Sequence, residues 1–197
     1  MGRVSIDKKR ILNPDKRAEL LFKLMPALLT EGIKKFKTND LLEVAEVSKR
    51  TLYQHFSSKS EIVAVTIEYV FLQIDIVCEV LKESHLAHEE RFIKVMHEIV
   101  GALDLVSAQF LIDLRDEYPE INTMMNEHIH SILLDFKDFY KDAIKKKKMR
   151  KVSVETLVHM DRLFIFDLAN PDNKSDRNIS NELESYLDLK WNGLRPN

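Results

Sequence analysis

At 197 residues with 45% apolar content, the chain is long enough to bury a sizeable core, which excludes disorder as its default state. Four Gly and five Pro are too few for the frequent turns of a sheet-rich sandwich, so the composition predicts an all-α fold. A net charge of −2 excludes nothing by itself, but residues 1–60 carry 13 Lys/Arg against 7 Asp/Glu, leaving 17 against 25 for residues 61–197. Such a split fits a small polyanion-binding head joined to a larger body with another task.

Residues 1–15 are polar and basic (Arg3, Lys8, Lys9, Arg10) and are interrupted by Asn13-Pro14. They read as an arm, and insertion into a DNA minor groove and a solvated tail fit this composition equally. The N-terminus has no apolar run of signal-peptide length, and no later stretch approaches the roughly 20 apolar residues of a membrane span, so a cytoplasmic protein with no membrane partner is expected. From Asp15, Leu20, Leu21, Leu24, Ala27 and Leu28 recur at helical spacing, Pro26 predicts a bend, and Gly32 predicts the stop. Thr38 and Ser48 each carry a hydroxyl suited to cap a short helix, and Ala45-Glu46-Val47 between them is long enough only for a tight turn. Helix, short turn, helix is the supersecondary unit that reads DNA.

A fourth helix is expected from Ser58 to about residue 84, followed by helices near 88–104, 106–118 (ending before Pro119), 120–148, 153–169 and 179–193, with a polar linker over 171–178. This gives about nine helices. Cys78 is alone, so no intrachain disulfide can form, and its apolar surroundings predict a buried thiol.

The segment TNDLLEVAEVSKRTLYQHFSSKSEI, residues 38–62, closely resembles the helix-turn-helix signature of the TetR (tetracycline-repressor-like) family: Ser48, Thr51, Leu52, Tyr53, His55, Phe56 and Lys59 match it in type and spacing. The resemblance is sharp over 38–62, looser over the first helix, and architectural beyond. In a helix beginning at Ser48, Lys49, Arg50 and Thr51 occupy the end that enters the major groove, and they are the candidates for base reading. Leu52 and Phe56, at i and i+4, are expected to pack on Leu41, Ala45 and Val47. Tyr53 and His55 are expected to offer donors to phosphate oxygens, as is Lys59 at the start of the fourth helix; Thr38 completes the set of candidate DNA contacts. Departures from the family pattern stand out. Glu46 occupies the turn position usually held by Gly, Lys23 and Leu24 replace a small pair in the first helix, and Leu42 stands where Ala is common.

The resemblance implies a three-part chain: an arm (1–15), a three-helix DNA-binding domain (16–60), and an effector-binding and dimerisation domain (61–197). It implies a repressor that binds a palindromic operator as a homodimer and is released by a small molecule, with no cofactor, no metal and no catalytic residue. The last two helices would form the dimer interface through Leu157, Met160, Phe164, Leu183, Leu187 and Trp191, which recur as apolar stripes. An effector pocket between the middle helices would use Phe92, Met96, Phe110, Met125, Ile129, Phe136 and Phe164, with His128 as its polar contact. Two rival readings remain. A di-iron bundle needs two Glu-x-x-His pairs, and only Glu127 to His130 has that spacing, while His85 and His88 alone are too few ligands. A dimeric helical adaptor without DNA binding is kept open by Glu46 and by the modest basic excess of the head.

Overall fold

The computed structural model describes residues 13–170, 172 and 178–196, so Arg3, Lys8, Lys9 and Arg10 of the arm and most of the 171–178 linker lie outside the described residues. Within them the chain is all helical: α1 (Pro14–Glu31), α2 (Thr38–Ala45), α3 (Lys49–His55), α4 (Lys59–Cys78), a 3-10 turn (Glu79–Lys82), α5 (His88–Asp104), α6 (Ala108–Glu117), α7 (Pro119–Lys145), α8 (Val154–Leu168) and α9 (Ile179–Leu194). Local chemistry sets most boundaries. Side-chain oxygens of Asn13, Ser48, Ser58, Ser107, Ser153 and Asn178 accept orphan amides at six helix starts, and Pro14 and Pro119 sit where a missing N–H costs nothing. Gly32 ends α1 at φ 91°, its amide donating to the Leu28 carbonyl.

Several expectations are corrected. Thr38 is not the cap of α2: Lys37 holds that position, and the Asp40 carboxylate reaches back to accept from the Lys37 amide at 2.6 Å. The helix after Ser58 gives way to the 3-10 turn after Cys78, and α7 stops at Lys145 because Lys147 turns left-handed at φ 57°. Pro26 lies within α1, which continues to Glu31.

One apolar core runs without a break from Leu20 in α1 to Leu194 in α9. Three-helix head and larger body therefore share packing, chiefly through α1 against α4 and α6. Two fully buried carboxylates sit inside this core. Asp113 on α6 accepts from the Lys34 backbone N–H at 2.7 Å and from Gln109 Nε2 at 2.7 Å, clamping the segment after α1 to the body. Asp161 on α8 accepts from Tyr140 Oη (2.5 Å), from Tyr186 Oη (2.6 Å) and from the Lys190 ammonium, joining α7, α8 and α9. Burial, and then the Asp161 charge, hold both tyrosines well above their ordinary range, whereas burial pulls Lys190 down against the opposing pull of Asp161. Among the described residues no single helix is long and apolar enough to cross a membrane.

Candidate nucleic-acid interface and effector cavity

The helix-turn-helix formed by α2 and α3 is built on buried apolar contacts. Leu41 and Ala45 of α2 and Leu52 and Phe56 at the end of α3 are each at most 1% exposed, so the two short helices are locked together as their spacing predicts. Ser48 accepts from the Thr51 amide at 3.1 Å and meets its hydroxyl at 2.9 Å, which fixes the first turn of α3. Lys49 and Arg50 then project into solvent, Thr51 is half-buried, and Gln54 one turn further along is exposed. Thr38 and Tyr53 come together, their hydroxyl oxygens 3.4 Å apart, so the start of α2 and the middle of α3 share one edge. Lys37 is exposed at the same helix start, a position signalled only by a basic residue directly before Thr38.

Two residues of the predicted set are placed differently. His55 is 6% exposed and its Nδ1 has no partner among the described residues, because the side chain faces the head interior rather than solvent. Lys59 is not free to meet phosphate from solvent. Its Nζ donates to the Ile33 and Phe36 carbonyls at 2.6 and 2.7 Å, and this burial lowers its pKa despite the carboxylates of Glu117, Asp113 and Asp40. Those carbonyls lie in the connection between α1 and α2, where they have no helical partner, so the lysine braces that connection. The start of α4 is held in turn to α1: Arg17 donates to Glu61 at 2.8 Å and lies over the Phe56 ring at 5.1 Å.

The turn accommodates its unusual acid. Glu46 adopts the left-handed conformation (φ 56°, ψ 42°), and its carboxylate accepts from Lys23 Nζ at 2.6 Å. That contact lowers the Glu46 pKa and raises that of Lys23. The two departures from the family pattern are thus partners, the lysine in the first helix answering the acid in the turn. The backbone remains the costly part, since an L-residue in this region loses about 1 kcal/mol to steric crowding. Glu46→Gly is therefore expected to raise the urea midpoint, with the loss of an exposed ion pair offsetting little of the gain; an unchanged or lower midpoint would show that the Lys23 contact outweighs the backbone.

In the body, α1, α4, α5, α6, α7 and α8 enclose a cavity of about 60 Å³ lined entirely by apolar side chains. Phe110, Met125 and Ile129 of the predicted set line it. Phe92, Met96 and Phe136 do not; they are fully buried, and both phenylalanines belong to a separate aromatic cluster with Phe139, Tyr140 and Trp191. His128 instead pairs with Asp75 of α4 at 2.9 Å and lies against Phe71, and Phe164 stacks on Tyr186 with ring centroids 4.2 Å apart. Further lining comes from α4 (Ile67, Phe71, Ile74), from α5 (Ile99, Ala102) and, without a sequence signal, from Leu29 of the head helix α1.

The expected interface stripe is also corrected. Leu157, Leu183, Leu187 and Trp191 are at most 5% exposed within one protomer, so they belong to its own core, where α8 meets α7 and α9 meets α5. The apolar side chains left uncovered on these two helices are Met160 (43% exposed), Leu163 (54%) and Leu189 (75%). Among the described residues, no three His, Cys, Asp or Glu side chains come together as metal ligands; His130 Nδ1 lies 2.8 Å from the Asn126 carbonyl and His88 pairs with Asp142.

Residues 27–66 match the family model described as bacterial regulatory proteins, tetR family. Over 166 residues the chain is 23% identical to the uncharacterized HTH-type transcriptional regulator YvaF of Bacillus subtilis, covering 81% of this chain and 85% of that one. Its fold is that of NemR of E. coli in its reduced form (TM-score 0.71, 16% identity, 93% of this chain and 100% of that chain). It is also that of the Bacillus subtilis regulator FadR in complex with stearoyl-CoA (TM-score 0.65, 18% identity, 89% and 98%). The matched segment contains α2, α3, their turn and the capped start of α4, so the unit that exposes Lys49 and Arg50 is the unit that defines the family. Residues 27–66 therefore carry the segment that marks the tetR family of bacterial regulatory proteins, on a fold shared with solved regulators of that family.

Proposed function

We propose that the protein is a homodimeric repressor that reads a palindromic operator with α3 and is released when a small molecule occupies the body. The observation that carries this reading is the exposed basic first turn of α3 on a head whose interior is locked by Leu41, Leu52 and Phe56. Residues 16–60 act as the DNA-binding part and 61–197 as the effector and dimer part. Lys49, Arg50 and Thr51 read base edges. Thr38, Tyr53 and Lys37 hold phosphate at the shared edge of α2 and α3, with Ser48 capping the reading helix. His55 and Lys59 position these groups from behind.

Selection of bound duplexes from a random pool tests the reading, with enrichment of a palindrome as the expected outcome and no enrichment as the result that sinks it. Arg50→Ala is expected to cost about 1–3 kcal/mol at its preferred base and to flatten preference there. A uniform loss across all duplexes would make Arg50 a phosphate contact instead.

A dimer suits the two-fold symmetry of such a site, its half-sites lying about one turn apart. Met160, Leu163 and Leu189 supply the exposed apolar face on α8 and α9. Leu163→Asp with Leu189→Asp is expected to give a folded monomer in sedimentation, since neither side chain belongs to the protomer core; a persistent dimer would move the interface elsewhere. The FadR structure is a complex with stearoyl-CoA on the same fold, which supports a ligand role for the body cavity here.

A further inference from the structure

The cavity adjoins a cleft on each of two sides, and the chemistry of the two clefts is lopsided in a way that restricts what the body can hold. Leu29, Val70, Ile74 and Ala102 are shared with a cleft of about 290 Å³ between α1, α4 and α5, whose polar groups are Tyr69, Gln73 and Glu98. Leu111, Met125, Ile129 and Ala169 are shared with a second cleft, of about 310 Å³, between α6, α7 and α8, where Asn122, Asn126 and Asn170 supply amides beside Arg115. Shared wall residues place the three spaces side by side, the two clefts carrying polar groups in their lining and the central cavity none. An enclosed cavity of 60 Å³ is too small for a bulky ring system without rearrangement, whereas a slender chain needs only side-chain shifts.

Charge decides the rest. Every side chain around the central cavity is apolar, so a charged group held there would lose its hydration with nothing in return. At the first cleft the ionic group is an acid, Glu98, which repels an anion. At the second, the cation among the described lining residues, Arg115, donates through Nε to Asp116 at 2.9 Å and feels the further negative charge of Asp172, so part of its charge is already answered by carboxylates of this chain. Three asparagine amides remain, each able to donate and to accept. We infer that the effector is an uncharged, slender, mostly hydrocarbon molecule whose tail lies in the central cavity and whose hydroxyl, carbonyl or amide end is held by the asparagines between α6, α7 and α8. The body thereby discriminates against chain carboxylates and acyl thioesters of coenzyme A. This rests on the reading of the body as an effector site.

The test is calorimetric titration of the full chain at pH 8 with a ten-carbon series: decanamide and decanol as neutral members, decanoate and decanoyl-CoA as anions, decyltrimethylammonium as a cation. The neutral members are expected to bind about 100-fold more tightly than the charged ones, to weaken on Asn126→Leu, and to be lost on Ala102→Leu, which adds bulk to a wall of the small central cavity. Equal or tighter binding of decanoate, decanoyl-CoA or the ammonium compound would overturn the neutral assignment while leaving the effector site standing. Neutral binding insensitive to both substitutions would place the ligand elsewhere and overturn it as well. Failure of every member to bind in any chain length from eight to sixteen carbons would overturn this inference together with the effector reading, whereas operator selection tests the DNA reading independently.

Discussion

Asp161→Asn is expected to destabilise the fold by about 3–5 kcal/mol, one of the two largest losses from a single substitution away from the DNA-reading surface. The substitution keeps the shape of the side chain and removes only its charge, which isolates the electrostatic part. Lys190 is 5% exposed, lies 4.8 Å from the ring centroids of Phe92 and Tyr140, and has Asp161 as its only carboxylate partner among the described residues. Rings of this kind favour a cation, yet they replace only part of what a carboxylate and water supply. The asparagine variant would leave an ammonium in the core with no counter-charge, and Lys190→Met would leave the carboxylate with only two tyrosine hydroxyls. Each single change should therefore be severe. The double variant should lose less than their sum, by about 1–3 kcal/mol, because neither orphan charge survives in it. Urea denaturation of the four proteins measures this, and strict additivity would show that the contact is incidental to stability.

The same cluster explains where the sequence is legible and where it is not. Helix starts are readable wherever a local residue supplies the cap, as at Ser48 and Ser58, and Gly32 marks its stop because only backbone within the same turn is involved. Inward faces on α8 are not readable. Its core side is Leu157, Asp161, Ile165 and Leu168, with a carboxylate where periodicity expects a hydrophobe, and the groups that satisfy it lie 21 to 29 residues away in sequence. A stripe shifted by one position, to Met160 and Phe164, looks equally apolar, which is why periodicity assigns core leucines to the interface. Lys59 and His55 defeat the motif for a related reason: their types match it, but their direction is set by the Ile33 and Phe36 carbonyls and by the head interior, which no spacing rule contains. The exposed first turn of α3, with Lys49 and Arg50, is legible because a local cap defines where the helix starts.

Gly32→Ala is expected to cost about 2–5 kcal/mol and, in the fraction that remains folded, to weaken operator binding. The backbone there (φ 91°, ψ 161°) is a conformation that essentially only glycine adopts. A Cβ would also stand 2.6 Å from Gln109 Cγ and 3.1 Å from Asp113 Oδ2, so even a strained backbone would have to push α6 away. Gly101 is the control: it is exposed within α5 with nothing within 4 Å of its Cβ position, and Gly101→Ala should gain about 0.5–1 kcal/mol from helix propensity alone. What makes Gly32 informative is the company α6 keeps. Asp113 accepts the Lys34 amide, the Ser107 amide donates to the Leu29 carbonyl at 2.8 Å, and Phe110 and Leu111 on that same helix line the cavity together with Leu29. A ligand that wedges α6 from its cavity side and a methyl group that wedges it from the head side act on one joint. Only a ligand with unequal affinity for the two positions of that joint can switch it. The alanine variant, measured at a temperature where it is folded, should therefore bind operator less tightly and respond less to a neutral ligand than the parent protein. Wild-type affinity with undiminished response would separate the stability of this junction from its role in switching, and would direct the search for the coupling to α4 alone.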